Sequence, residues 1–417
     1  MTYLRRGVPA VYATLSVGKY MSHDLEKIYE RLYDYSEARD FAGADPFNGL
    51  NSRIFQLTPL KYFRSARLAW LQIIKRSPVD LRGLLLVEPG VNPKGLALFA
   101  LAEMSRYRAT GFADNAENAA KLIDRLMELA ITDSGDGGQT LAFGYNFDWQ
   151  SRVFYAPRGT PAVVPTAFAF RALIESFEAN GNENHLTAAA GICRFITGRL
   201  NRPVDTADEV CFSYTPVDKT AVYNASLLAA ECLAKYGKIS GNADYMSLSA
   251  KAARFVINRQ RGDGAWVYGE DESHAWADNF HTAFILISLS RISDDIPHVK
   301  SEVGAAVEKG SGYWLENFFL DDGTPKYYDR AIYPVDIHSA AAAIVGLTEL
   351  KDRDARMFPM AEKIADWTAR NMLDADGFFY YQIRKHGSIE TQFMRWGQAW
   401  MAYALARLIE GKGRDAR

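Results

Sequence analysis

Five helix-like segments of this chain begin at near-constant spacing, and that spacing is the strongest constraint on what the chain can fold into. They open at Pro165 (PTAFAFRALI), Tyr223 (YNASLLAAECL), His281 (HTAFILISL), His338 (HSAAAAIVGL) and Trp396 (WGQAWMAYALARL). An earlier member, NPKGLALFALAEMSR, opens at Asn92, a longer interval before Pro165, the excess falling in a loop near 132–164. A fixed period, here about 58 residues, signals stacked helical units. Each segment is apolar nearly all round and rich in Ala, the pattern of a helix buried on every side. The stretches between them, 115–131, 184–200, 243–260, 302–319 and 359–373, carry apolar residues at helical spacing. In the third, Leu248, Ala252, Phe255 and Val256 share one face, opposite Lys251 and Arg254. Each unit therefore reads as one inner and one outer helix.

Six inner helices need six outer ones. The stretch 60–75 supplies the sixth, and packed beside the last inner helix it would close a ring. The prediction is an all-α (α/α)6 toroid with short β-hairpins at one mouth; an open superhelix of helical hairpins is the alternative. On this reading 1–58 is an N-terminal arm with an extra helix at 22–38 outside the ring, 59–410 is one toroid domain, and 411–417 is a tail. A length of 417 residues would otherwise suggest two or three domains.

Composition excludes some functions. With 48 Lys+Arg against 50 Asp+Glu, the net charge of −2 gives no footprint for nucleic acid. No apolar run has the ~18 residues of a membrane span. The stretch 8–17 is interrupted by Pro9, Thr14 and Ser16 and is weak for a secretion signal, so a cytoplasmic location is expected. Three cysteines without a CxxC pair imply neither a disulfide framework nor a zinc ribbon. Neither a cofactor nor a metal is expected, and oligomeric state is left open.

Function is expected at one end of the ring. Outer helices lead into a recurring turn and aromatic run: GDGAWVYGE at 262–270, DDGTPKYYD at 321–329, DADGFFYYQ at 374–382 and, more faintly, EVCFSYTP at 209–216. Asp-Gly marks a turn and the aromatic run a short strand. Polar residues gather on the same approaches: Asn92 and Lys94; Asp148, Trp149 and Arg152; Asp218, Lys219, Tyr223 and Asn224; Asp278, Asn279 and His281; Asp336 and His338; Glu390, Arg395, Trp396 and Gln398. Tyr328 and Tyr381 belong to the aromatic runs. The opposite ends of the inner helices show no such enrichment. Six helix N-termini at one mouth would welcome anions, and rings with polar tips suit the mixed faces of sugars. Taken singly, Asp218, Asp278 and Asp336 also read as N-caps.

Lys251-Ala252, Phe255-Val256, Gln260 and Gly264-Ala265-Trp266 resemble the QW motif of triterpene cyclases, and Lys309-Gly310 with Tyr313-Trp314 and Gly323 is a degenerate copy. The resemblance implies an α-toroid; the cyclases' acidic DxDD motif is absent. Protein prenyltransferase β-subunits share that toroid and hold zinc with Asp, Cys and His. Asp336, His338 and His281 would be the corresponding set here, without a nearby Cys. The chain is more similar to carbohydrate-active toroid proteins: uronate lyases, glucuronyl C5-epimerases, unsaturated glucuronyl hydrolases and sugar 2-epimerases. The stretches DPFNGLNS (45–52), KRSP (75–78), NPKGLAL (92–98) and GYNFDWQS (144–151) also resemble proteins of bacterial polysaccharide-synthesis loci.

That resemblance and the residues together suit binding of an acidic saccharide and abstraction of a proton α to its carboxylate. The base would be Tyr223, His281 or His338, with Asp278 and Asp336 beside the histidines. Arg395, Lys219 and Asn279 would neutralise developing charge. Asp148, Trp149, Arg152, Asn224, Trp396, Gln398, Tyr328 and Tyr381 would bind substrate. Return of the proton to the opposite face gives epimerisation, and loss of the 4-substituent gives elimination. The alternatives are a glycoside hydrolase with a carboxylate pair from Asp148, Asp218, Asp278 and Asp336, a non-catalytic scaffold of envelope assembly, and a terpenoid-cyclase-like enzyme.

Overall fold

The computed structural model of the chain describes residues 24–135 and 138–415. Residues 1–23 of the expected N-terminal arm and the end of the tail lie outside them. The helices, in chain order, are α1 (Asp24–Glu37), α2 (Arg53–Gln56), α3 (Arg64–Arg76), α4 (Pro93–Thr110), α5 (Ala113–Glu128), α6 (Val163–Asn180), α7 (Glu183–Arg199), α8 (Tyr223–Ser240), α9 (Ala243–Ile257), α10 (Asn279–Asp295), α11 (Lys300–Asn317), α12 (Ile337–Glu349), α13 (Met357–Met372) and α14 (Ala399–Asp415). The inner helices α4, α6, α8, α10, α12 and α14 each touch the next, and α14 returns to α4. The ring is closed. The expected toroid is what forms, because helices buried on all sides can only sit inside a second layer.

The sixth outer helix is α1, not the 60–75 stretch. Tyr29 of α1 donates to Glu103 of α4, Tyr33 packs edge-on against Phe99, and α1 also contacts α14. The Asp-Gly turns give an independent sign. Gly264, Gly323 and Gly377 all have φ near +90°, and a Cβ there would stand 2.6, 2.5 and 2.9 Å from the carbonyl oxygens of Lys309, Lys363 and Arg31. Each turn thus rests on the backbone of the next outer helix round the ring, and for the last turn that helix is α1. The helix expected outside the ring completes it. α3 instead lies across the mouth as part of a cap, with Leu71 packed on Leu50 and Phe55 in a small core of its own.

The QW-like residues are structural. Gln260 donates to the carbonyls of Gly264 and Ala306, both at 2.9 Å, and the Trp266 indole donates to that of Val256. Antiparallel pairs such as 149–150 with 155–156 and 382–384 with 387–389 form the expected hairpins.

The far end of the ring corrects another expectation. The inner helices there carry a belt of buried ion pairs. Glu231 accepts from Arg171 (2.7 and 2.5 Å), Arg291 (2.8 Å) and Ser288 (2.8 Å). Arg291 also holds Glu349, and Arg108 joins Glu175 to Glu410 across the α4–α14 seam. Among the described residues no helix is long and apolar enough to cross a membrane.

Candidate active site

A cavity of about 340 Å³ opens at the N-terminal ends of the inner helices. Its wall residue Phe284 belongs to a floor of packed rings, with Phe168 and Trp400 behind it and centroids 5.2–6.1 Å apart. Lys94 stands on this floor, its Nζ 4.4 Å from the Phe168 centroid and 4.9 Å from that of Trp400. Burial, helped by Arg395 and Arg171, pulls its pKa well below the usual lysine value.

His338 begins α12 and is buried on the cavity wall. Its ring stacks on Trp396 at 4.1 Å, and its Nδ1 donates to the Trp396 carbonyl at 3.1 Å. A carbonyl only accepts, so Nδ1 carries the proton and Nε2 keeps its lone pair. Burial, then the charges of Lys94 and Arg395, drive its pKa well below the usual histidine value. His338 is a neutral imidazole. His281 lies one inner helix away, on α10. Its Nδ1 meets Asp278 Oδ2 at 2.6 Å, which leaves Nε2 without a bond among the described residues. Asp278 also caps α10 through the His281 N–H at 3.0 Å and accepts from the Trp276 indole at 2.9 Å. Phe284 lies within 6.4 Å of both imidazole centroids.

The cavity brings together His281, His338, Asp278, Trp149, Arg152, Asn224, Arg395, Trp396 and Tyr328 of the expected residues. Asn224 Oδ1 is buried and unpartnered among the described residues. Arg395 reaches the wall with its guanidinium already held by Asp45 at 2.6 and 2.9 Å. Arg152 lies at the rim over Trp276, 4.7 Å from the ring.

The other eight expected residues stand off the wall. The Tyr223 hydroxyl donates to Glu270 at 3.1 Å and its ring packs on Phe255; burial and Glu270 raise its pKa further. A phenol so placed is no base for this cavity. Asp336 is fully buried, capping α12 and accepting from Gln382 (2.6 Å) and the Trp396 indole (3.0 Å). Asn279 and Gln398 clamp aromatic runs: Asn279 binds the Trp314 indole and the Lys326 carbonyl, and Gln398 both donates to and accepts from the Phe379 backbone. Asp148 accepts from the Arg158 N–H at 2.8 Å. Lys219 is exposed, and Tyr381 is buried against Phe393. Asp218 serves a turn between Thr215 and Thr220 rather than capping α8. Among the described residues no three His, Cys, Asp or Glu are grouped to hold a metal.

Sequence reasoning missed Lys75, Arg76 and Gln72, which line the mouth from α3, because the repeat assigns that stretch to the outer layer. Lys75 has its pKa lowered to about 8 by burial, with Nζ 4.4 Å from the Phe47 ring. It also missed His274, which stacks edge-on against Tyr268 and whose buried Nδ1 has no partner among the described residues. No repeat signal marks His274, since it sits in a single 3-10 turn between units.

No protein-family model matches the chain, and no curated protein matches its sequence. Solved structures do match over nearly the whole length. A cellobiose 2-epimerase from Bacillus thermoamylovorans superposes with a TM-score of 0.61 at 12% identity, covering 94% of this chain and 100% of its own. An unsaturated glucuronyl hydrolase specific for heparin gives 0.59 at 12%, with 94% and 98% covered. A polysaccharide lyase gives 0.58 at 9%, with 95% and 98% covered. By fold, then, this chain is an (α/α)6 toroid of the kind found in carbohydrate epimerases, hydrolases and lyases.

Proposed function

We propose that the protein is a carbohydrate-active enzyme that binds an acidic, uronic-acid-type saccharide and removes the proton α to its carboxylate. The observation that carries this reading is His338: a neutral, buried imidazole whose Nε2 has no bond among the described residues, set in a sugar-sized, aromatic-lined cavity whose charged wall residues are mostly basic. Lys75, Arg76, Lys94, Arg152 and Arg395 line that cavity against one carboxylate, Asp278, which is occupied by His281 and Trp276. Lys75 and Lys94 have no carboxylate partner among the described residues. An anionic ligand would supply one.

On this reading His338 Nε2 takes the C5 proton and becomes imidazolium, while the C–H electron pair moves into the carboxylate as an enediolate. Lys94, its Nζ beside the Phe168 and Trp400 rings, would donate a hydrogen bond to that charge. His281, its Nδ1–H on Asp278, is the second proton carrier: entering as imidazolium, it gives its Nε2 proton to C5 in an epimerase, or to the departing 4-substituent in a lyase, and leaves as the neutral ring. Asn224 Oδ1 and the Trp149, Tyr328 and Trp396 rings would orient the sugar.

The alternatives draw less support. Of the four aspartates a hydrolase could pair, only Asp278 is on the wall. A closed ring with an interior cavity suits a small ligand better than a scaffold's partner. Five basic side chains disfavour a carbocation, against a terpenoid cyclase. The test is incubation with uronate-containing and neutral oligosaccharides in D2O, followed by NMR and by absorbance of the 4,5-unsaturated product. Solvent deuterium at C5, or alkene formation, is expected from the acidic sugar. Exchange only at C2 of a neutral sugar would overturn the acidic substrate, and no exchange with any sugar would overturn the proton chemistry.

A further inference from the structure

The cap over the mouth is itself unusual. Between Asp45 and Asp80 the chain has no carboxylate, yet it carries Arg53, Lys61, Arg64, Arg67, Lys75 and Arg76 in a protein of net charge −2. The same cap holds nine of the sixteen large apolar side chains exposed among the described residues, Leu57 (89% exposed), Leu84 (77%) and Tyr62 (74%) foremost. Its inward apolar residues, Leu50, Phe55 and Leu71, already form a packed core. The outward ones, Phe63 and Ile73 among them, are more than half exposed among the described residues. Clusters of this kind mark interaction surfaces.

Bonds join the pieces into one unit. Arg53 N–H donates to the Leu86 carbonyl and Ser52 Oγ to that of Leu85, tying the 84–86 loop to α2. Arg67 donates to the Lys61 carbonyl, and Arg64 to that of Arg152 on the cavity rim. The patch therefore borders the mouth. Exposed aromatic and aliphatic side chains interleaved with Lys and Arg, with Asp80 the one acid between residues 53 and 86, match an anionic membrane surface, where rings enter the interface and cations meet headgroups.

We propose that the 53–86 cap docks the protein on an anionic bilayer, with the mouth of the cavity turned toward the headgroups. This stands apart from the reaction assigned to the cavity. The test is flotation of the full chain with vesicles of phosphatidylcholine alone or with added phosphatidylglycerol, at low and high salt. Partition onto the anionic vesicles is expected to exceed that onto neutral ones by about tenfold and to fall with salt. The double substitution Leu57→Ser with Phe63→Ser, and separately Arg64→Glu, should each reduce it several-fold while the melting transition is retained. Equal partition onto both vesicles overturns the proposal, as does full binding by both variants, which would place the contact elsewhere. Absence of vesicle binding together with Phe63-dependent self-association would also overturn it, making the patch a protein interface.

Discussion

His338 meets three constraints at once: burial, a donor bond from Nδ1, and a stacked indole. Its Nε2 is thereby aimed and unprotonated. His338→Gln should lower kcat about 10²- to 10⁴-fold with little change in KM, as measured by steady-state kinetics on the acidic saccharide. Because its folded pKa is lowered, the unfolded chain takes up a proton below about pH 6.5 that the folded chain refuses. The acid limb of kcat/KM should therefore lie below that pH, and the contribution of His338 to stability should fall there too. Lys75 titrates from about 8. Affinity for an acidic ligand should weaken as pH rises through that value, and Lys75→Gln should bind weakly and lose that step in calorimetric titration. The histidines, Asp278 and the rim aromatics were legible from the sequence because the repeat aligns helix N-termini. Tyr223 and Asp336 stand at equivalent places but serve Glu270 and Trp396. Direction of a side chain around a helix start is set by its neighbours, which one-dimensional spacing does not report.

At the scale of elements, the belt at the far end has a sequence signature that the apolar pattern hides. Arg171, Glu231, Arg291, Glu349 and Arg407 alternate in sign and recur at the period of the inner helices. One charge per apolar helix looks incidental until the helices are brought side by side. Burial alone would raise the pKa of Glu231, but Arg171 and Arg291 hold it at about 2. Its contribution is thus present above the ordinary glutamate pKa of about 4.3 and is lost as pH falls toward 2. Glu231→Gln should cost about 3–5 kcal/mol in denaturant unfolding, since it leaves the buried Arg171 guanidinium without its carboxylate and Arg291 with Glu349 alone. The sixth outer helix shows a different limit. Both α1 and α3 have an apolar stripe, and periodicity cannot say which is laid on the ring and which on the mouth. The fully buried Leu32 of α1 decides it. Leu32→Ala should destabilise the protein by about 2–5 kcal/mol in thermal or chemical melts, an effect unexpected of a helix outside the ring.

The whole molecule is a closed ring whose first and last helical pairs meet. The seam is held by α4 against α14, by Arg108 bridging Glu175 and Glu410, and by α1 spanning both inner helices. A closed ring lacks the free ends from which an open array unravels. Calorimetry should show one unfolding transition with matching calorimetric and van't Hoff enthalpies, and removal of residues 24–37 should abolish it.

What the sequence determined by itself was the architecture and the end of the ring at which the cavity opens. A buried-helix signal recurring at one fixed period leaves few ways to cover six apolar rods, and it delivers every connection to one end. What only the tertiary structure decided was which polar groups face one another across the ring. Lys94, Lys75, Arg395 with Asp45, and His338 with the Trp396 carbonyl are brought together from residues up to 350 apart in the chain. Their charges and free lone pairs depend on burial and on partners from other units. The period counts residues along the chain, and these contacts form across it.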